Sequence, residues 1–215
     1  MSSVTEITPS MPILTGNFNG QNLKLRQITV EEYDEMIKNG VFDENDQVEL
    51  LNGAIVEKMS KGTKHSAAND CAMRVFYCHF GETVFIRNQN PIWLDEFSEP
   101  KPDVVLAMTK EDEYENSHPT PDEIYLILEV SDTTLGYDRN TKGEAYARAG
   151  IRQYLVLNVQ EKTLEDYREP SANEFQTKQT HRAGQTFNLV AFPEISLQVS
   201  DFFPTGSTEA QRTEN

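Results

Sequence analysis

A mixed α/β (α+β) domain, with a central sheet flanked by helices, is the fold this sequence predicts. Three observations lead there. The chain has 215 residues, which suits one domain with a single sizeable core. Its apolar patterning runs in the order helix, hairpin, helix, strands, helix, strands, with a β-rich C-terminal part. The stretch IYLILEVS, Ile124 to Ser131, is apolar on both alternating faces up to Glu129, the mark of a central strand covered on both sides.

The elements follow in chain order. Residues 1–22 are rich in Ser, Thr, Asn and Gly, and 204–215 are polar, so both are expected to be flexible tails on a single domain at 23–203. Thr29 with Glu32 forms a capping pattern for a short helix that Gly40 closes. Asn52-Gly53, between the apolar runs of QVELLNGAIVEKM, predicts an N-terminal hairpin at 47–59. Residues 64–80 place Ala68, Cys71, Met73, Val75, Phe76 and Cys78 at helical spacing before Gly81. TVFIRNQNPIWL, PKPDVVLAM and IYLILEV supply three strands, and the acidic stretch 109–123 reads as a solvated loop. A helix at 138–149 ends at Gly150, IRQYLVLNV and TLEDYRE pair as a strand and its hairpin partner, and further β-structure lies within 185–199.

Composition sets limits on function. Nineteen Lys and Arg against 35 Asp and Glu give a net charge of −16, which repels phosphate backbones and offers no footprint for non-specific nucleic-acid binding. No run approaches the roughly 18 apolar residues that span a bilayer, and MSSVTEITPSMPILTGNFNG lacks a basic segment followed by an apolar one. A soluble cytoplasmic protein without membrane attachment is expected. Cys71 and Cys78 stand about 10 Å apart on the predicted helix, beyond the roughly 7 Å that a disulfide tolerates, and are expected to be buried thiols.

The chemistry begins with Glu129, an acid in an apolar strand. Strand alternation puts it with Tyr125, Ile127 and Ser131, opposite Ile124, Leu126, Leu128 and Val130. Asp103 leads the apolar run of the preceding strand, so two carboxylates can meet at the rim of adjacent strands. A hard divalent cation would relieve their repulsion, with Mg²⁺ the usual tenant when one or two carboxylates are offered. Two other readings stand beside this one: Asp103 as a turn cap, and Glu129 paired with Arg139 or Arg148. Lys142 shares a helical stripe with Ala145, Tyr146 and Ala149, and either meets the Asp103–Glu129 pair or extends its head to water. Its helix starts at Asp138 as cap, or at the Thr141–Glu144 capping box.

VELLNGAIVEKMS, His65, NQNPI, EPKPDVVL, HPTPDE, LEVSDTTLGYDRNTK and YARAGIRQYLVL, within Thr29 to Phe203, together resemble the Uma family of restriction-endonuclease-like proteins, within the PD-(D/E)XK nuclease superfamily. The resemblance implies a restriction-endonuclease-like core and a metal-dependent endonuclease acting on DNA. It implies that Asp103, Glu129 and the main-chain carbonyl of Val130 hold Mg²⁺ or Mn²⁺. Ser131 stands where the superfamily places its lysine, and Lys142 is the candidate replacement, positioning the attacking water. Glu49 is the early acidic residue that touches the metal or a second ion, unless it is a surface carboxylate. His65 contacts phosphate or water, or is structural. Tyr146 packs nearby, and a homodimer would suit cleavage of both strands. The chain departs from the family pattern at Gln153, Leu155 and Asn158, and Gly143 after the lysine is unusual. Those departures and the acidic surface motivate the alternative, a nuclease-like module without catalysis for interaction or regulation. Hydrolysis of another phosphoester is a third reading.

Overall fold

The structure is a computed structural model describing residues 14–43 and 46–205. It opens with a hairpin, β1 (Thr15–Phe18) and β2 (Gln21–Lys24), where a tail to residue 22 was expected. Residues 1–13 and 206–215, the remainder of the two expected tails but for Pro204 and Thr205, lie outside the described residues.

Helix α1 (Val30–Lys38) starts at the foreseen capping box. Thr29 Oγ1 accepts from Glu32 N at 3.2 Å, and Glu32 Oε2 accepts from Thr29 N at 3.1 Å. The Asn52-Gly53 hairpin forms between β3 (Val48–Leu51) and β4 (Ala54–Glu57), with φ of +53° and +77° at its two turn residues. Gly53 is required twice over, because a Cβ there would stand 2.5 Å from the Gln27 Cβ. Strand β3 is buried throughout, and Glu99 N donates to Leu50 O at 2.8 Å, which seats the hairpin against the chain leading to the main sheet.

Helix α2 (Thr63–Phe80) covers one face of that sheet. The sheet comprises β5 (Phe85–Asn88), β6 (Val104–Ala107), β7 (Ile124–Ser131), β8 (Gln153–Asn158), β9 (Thr163–Ser171) and β10 (Glu174–Arg182), in spatial order β10-β9-β8-β7-β6-β5. Only the β7–β8 pairing within it is parallel. Ala68, Ala72, Val75 and Phe76 of α2 meet Leu106, Leu128, Val130 and Leu157 in one core layer, while Val105, Ile127 and Val156 point to the other. Cys71 is buried as expected, but Cys78 is exposed, since it lies on the outer face of α2.

The predicted alternation holds from Leu126 to Val130 and slips before it. Ala107 pairs with Ile124 and Leu106 with Leu126, so Tyr125 is the extra residue of a bulge. Ile124 therefore joins Ile127 in one layer and Tyr125 packs against the other, the reverse of strict alternation.

A parallel pair needs a crossover. It is a continuous helical run: one turn α3 (Leu135–Tyr137), a π-helical segment Asp138–Lys142, and α4 (Gly143–Arg148). The helix starts a turn before Asp138, so neither predicted cap is used. The π segment turns both Asp138 and Lys142 into the interior. Gly150, at φ +82°, stops the run as foreseen. Strand β10 went unread because EFQTKQTHR is a polar edge strand with little apolar period, held by pairing with β9. Strands β11 (Thr186–Asn188) and β12 (Ser196–Gln198) close the C-terminal part and send Phe187 and Leu197 into the α2 layer.

Candidate active site

The β6–β7 ladder pairs Val104 with Leu128, so one residue beyond it Asp103 and Glu129 become neighbours at the end of the ladder. They line a cavity of about 640 Å³ together with Glu49, Asp138, Lys142 and Lys61. Four buried carboxylates thus converge, as a sheet edge opening at strand ends allows.

Lys142, 3 % exposed, reaches across from the π segment to Glu129 Oε1 at 2.8 Å and to Glu49 Oε1 at 3.4 Å. Burial acts to lower its pKa, but the attraction of Glu129, Glu49 and Asp138 outweighs it and holds the ammonium well above its usual range. Tyr146, one turn on, donates its hydroxyl to Glu129 Oε1 at 2.7 Å. Glu129 is itself pushed up to about 7, first by burial and then by Asp103, Asp138 and Glu49, with Lys142 opposing.

Asp103 has different company. Its Oδ1 faces Lys61 Nζ at 3.1 Å, and its Oδ2 meets His65 Nε2 at 3.1 Å and accepts from Val130 N at 2.9 Å. Burial would raise its pKa, yet His65, Lys61 and the Val130 amide together hold it well below the carboxylate range. Glu49 points inward from β3: Lys101 N donates to its Oε2 at 3.0 Å, and Lys58 Nζ stands 3.8 Å from the same oxygen. Burial pulls the Lys58 pKa down, with Lys142 and Lys61 adding to the effect against Glu49 and Glu129.

Asp103, Glu129, Val130, Lys142, Glu49, His65 and Tyr146 are therefore brought together. Ser131 is buried at the end of β7, beside Asp138. The alternatives left open by sequence fall away. Arg139 binds Glu165 through Nε at 2.9 Å, Arg148 donates to Asn52 Oδ1, and Asp103 accepts from a neighbouring strand instead of capping a turn. Sequence reasoning passed over Lys58, Lys61 and Asp138 as site residues. The two lysines flank the end of the hairpin that carries Glu49, and a pair of cations there in so acidic a chain was the available signal.

The donor set fits a hard divalent cation. Glu129, which lines the cavity, takes both the Lys142 and Tyr146 bonds on Oε1, while Oε2 has no hydrogen bond among the described residues. Four carboxylates meet three ammonium groups, two of them partly exposed, which leaves a deficit of positive charge. Among the described residues no group of three or more His, Cys, Asp and Glu could hold a metal alone. Two carboxylates and a carbonyl, completed by water, is the arrangement Mg²⁺ favours over an all-protein cage.

A family model named Uma2, described as "Putative restriction endonuclease", matches residues 30–200. Among solved structures, the chain is similar to "a putative nuclease belonging to DUF820" from Anabaena variabilis ATCC 29413. The TM-score is 0.60 at 16 % identity, over 82 % of this chain and 97 % of that one. No curated protein matches the chain. Among the described residues, no helix is long and apolar enough to cross a membrane.

Proposed function

Since the chain belongs to the Uma2 family, we propose that it is a metal-dependent endonuclease that hydrolyses DNA phosphodiester bonds in the cavity between Glu49 and Asp103. One observation carries the reading: Lys142, borne by the crossover helix, touches Glu129 in the same cavity as Asp103. The ammonium that Ser131 does not supply arrives there from elsewhere in the fold.

Asp103, Glu129 and the Val130 carbonyl would hold Mg²⁺ or Mn²⁺. The ion, when bound, supplies charge to polarise a phosphate oxygen and lowers the pKa of a water. The chain's own residues do the rest. Lys142 orients the attacking water through its N–H donors and, fixed by Glu49 and Glu129, keeps its charge through the reaction. Tyr146 holds Glu129 in place. Lys58, Lys61 and His65 line the cavity wall, and the two lysines give a phosphate a cationic approach on a surface that otherwise repels it. Two such sites, one in each copy of a homodimer, would serve both strands of a duplex.

The positions that depart from the family pattern have structural work. Gln153 donates to Asp166 Oδ1 at 2.9 Å and accepts from Val190 N at 2.8 Å, Leu155 packs in the α2 layer, and Asn158 accepts from Glu161 N at the β8–β9 turn. The non-catalytic reading then rests on the acidic surface alone. Incubation of supercoiled plasmid with the protein and Mn²⁺ or Mg²⁺ tests the proposal. Nicking that EDTA stops and that Asp103→Ala abolishes is expected, and equal nicking by wild type and Asp103→Ala, or none by either, refutes it. Calorimetry with Mn²⁺ separates the alternatives further, since a non-catalytic module without a metal site gives no heat that Glu129→Gln removes.

A further inference from the structure

A second cavity, of about 690 Å³, lies between the start of α1 and the loop that follows β6, and it shares no lining residue with the first. Its size is that of a small-molecule site. Five carboxylates line it, from Glu31, Asp34, Glu96, Glu99 and Glu115, without a single Lys or Arg. None of the five forms an ion pair among the described residues, whereas Glu49, Asp103 and Glu129 of the first cavity each have one.

Clustered surface acids are commonly no more than a solvated face. Glu99 is different: it is 4 % exposed, lines the cavity, and its carboxylate has no hydrogen-bond or ion-pair partner among the described residues. A buried carboxylate without a counter-charge is costly. Burial, reinforced by Asp34 and opposed by Lys101, pushes its pKa up to about 7. Trp93, the only tryptophan of the chain, also lines the cavity and is 49 % exposed, its ring steadied by an Nε1 bond to Asp95 O at 2.7 Å. An indole beside carboxylates in a concave site suits a cation with an organic body, because the ring quadrupole and the acids attract the same charge. Tyr114, anchored by its hydroxyl to Met108 O at 2.8 Å, also lines the cavity, but Lys110 Nζ already stands 4.8 Å from its ring centre, which leaves Trp93 as the aromatic partner.

We infer that this cavity binds an organic cation, an ammonium or guanidinium group held by the Glu99 and Asp34 carboxylates beside the Trp93 indole. The cation is either a free oligoamine or a basic side chain presented by a partner protein, and the chemistry of capture is common to both. The site is independent of the phosphodiesterase reading and survives its failure.

Trp93 makes the test direct. The full chain is titrated at constant ionic strength with spermidine, with L-argininamide and with acetyl-Gly-Arg-Gly-amide, following Trp93 fluorescence against NaCl as control. A saturable change with at least one probe, weakened about tenfold or more by Glu99→Gln, is expected, as for loss of a charge-assisted contact. Tightest binding of spermidine points to the free oligoamine, and tightest binding of the peptide to a partner's side chain. Asp34→Asn, at a half-buried position, carries the test if Glu99→Gln does not fold. No saturable change with any probe, a change that NaCl reproduces, or binding unaltered by both substitutions overturns the inference.

Discussion

Lys142→Met keeps the buried stem and deletes the charge on which the site is built. At an effective dielectric of about 20, the attraction of Lys142 is about 6 kcal/mol to Glu129 at 2.8 Å and about 5 kcal/mol to Glu49 at 3.4 Å. Desolvation of an ammonium that is 3 % exposed offsets much of that sum. Removing one partner of such a buried pair leaves a net cost of about 3–5 kcal/mol, because the remaining carboxylates lose their counter-charge. In urea unfolding with EDTA present, the midpoint should fall by about 2 M for a slope near 2 kcal/mol/M. In a Glu129→Gln background the same substitution should cost about 2 kcal/mol less, since the nearer partner is already neutral. Plasmid nicking by Lys142→Met should drop by about 10²- to 10³-fold, the range for loss of one preorganised hydrogen-bond donor. A stability cost under about 1 kcal/mol, or one unaltered in the Glu129→Gln background, would refute the reasoning, for Lys142 would then not be held by Glu129.

Tyr146→Phe removes one hydroxyl bond to a charged group and should cost about 1.5–3 kcal/mol in chemical unfolding while weakening Mn²⁺ binding in calorimetry. Gly53→Ala meets both a φ of +77° and the Gln27 Cβ, so a loss of about 2–4 kcal/mol is expected in thermal unfolding, together with reduced nicking because the hairpin carries Glu49. Glu165, buried with Arg139, Tyr167 and Lys178 around it, has its pKa lowered from 4.5 to about 2: burial opposes the shift, and Arg139, Tyr167 and Lys178 overcome it. A depressed carboxylate contributes stability above about pH 4.5 that is lost as pH falls through about 2. The shift corresponds to at most about 3 kcal/mol, reduced to about 1–2 kcal/mol because Arg139 and Lys178 are partly exposed. Glu165→Gln should therefore lower the melting temperature at pH 7 by a few degrees and leave it nearly unaltered at pH 2.

Much of this protein was legible before its structure. The Thr29–Glu32 capping box, the Asn52-Gly53 turn and the doubly apolar strand around Ile127 are local or periodic signals, and each appears where the residues put it. The misreadings share a cause. Tyr125 is displaced by a bulge whose origin lies in the register with β6, and β10 exists because β9 offers it a partner. Cys78 sits at a plausible helical spacing, but which face of α2 meets the sheet is set by the sheet.

The candidate site divides in the same way. Asp103 and Glu129 could be named from sequence because a charge in or beside an apolar strand is conspicuous, and strand alternation says which face each takes. Whether Lys142 met them could not be read, since its direction depends on the π-helical segment, which widens the turn and aims Asp138 and Lys142 inward. Glu49, on a hairpin of mixed faces, was equally undecided until packing buried all of β3.

The sequence by itself determined the order of elements from α1 to β9, the pair of strand carboxylates and the family to which the chain belongs, because period, turn chemistry and motif are properties of neighbouring residues. Tertiary structure decided which cations answer those carboxylates. Lys61 and Lys142 come from segments 42 and 13 residues distant from their partners, and a charge separated by that much chain finds its counter-ion only when the fold brings the two together.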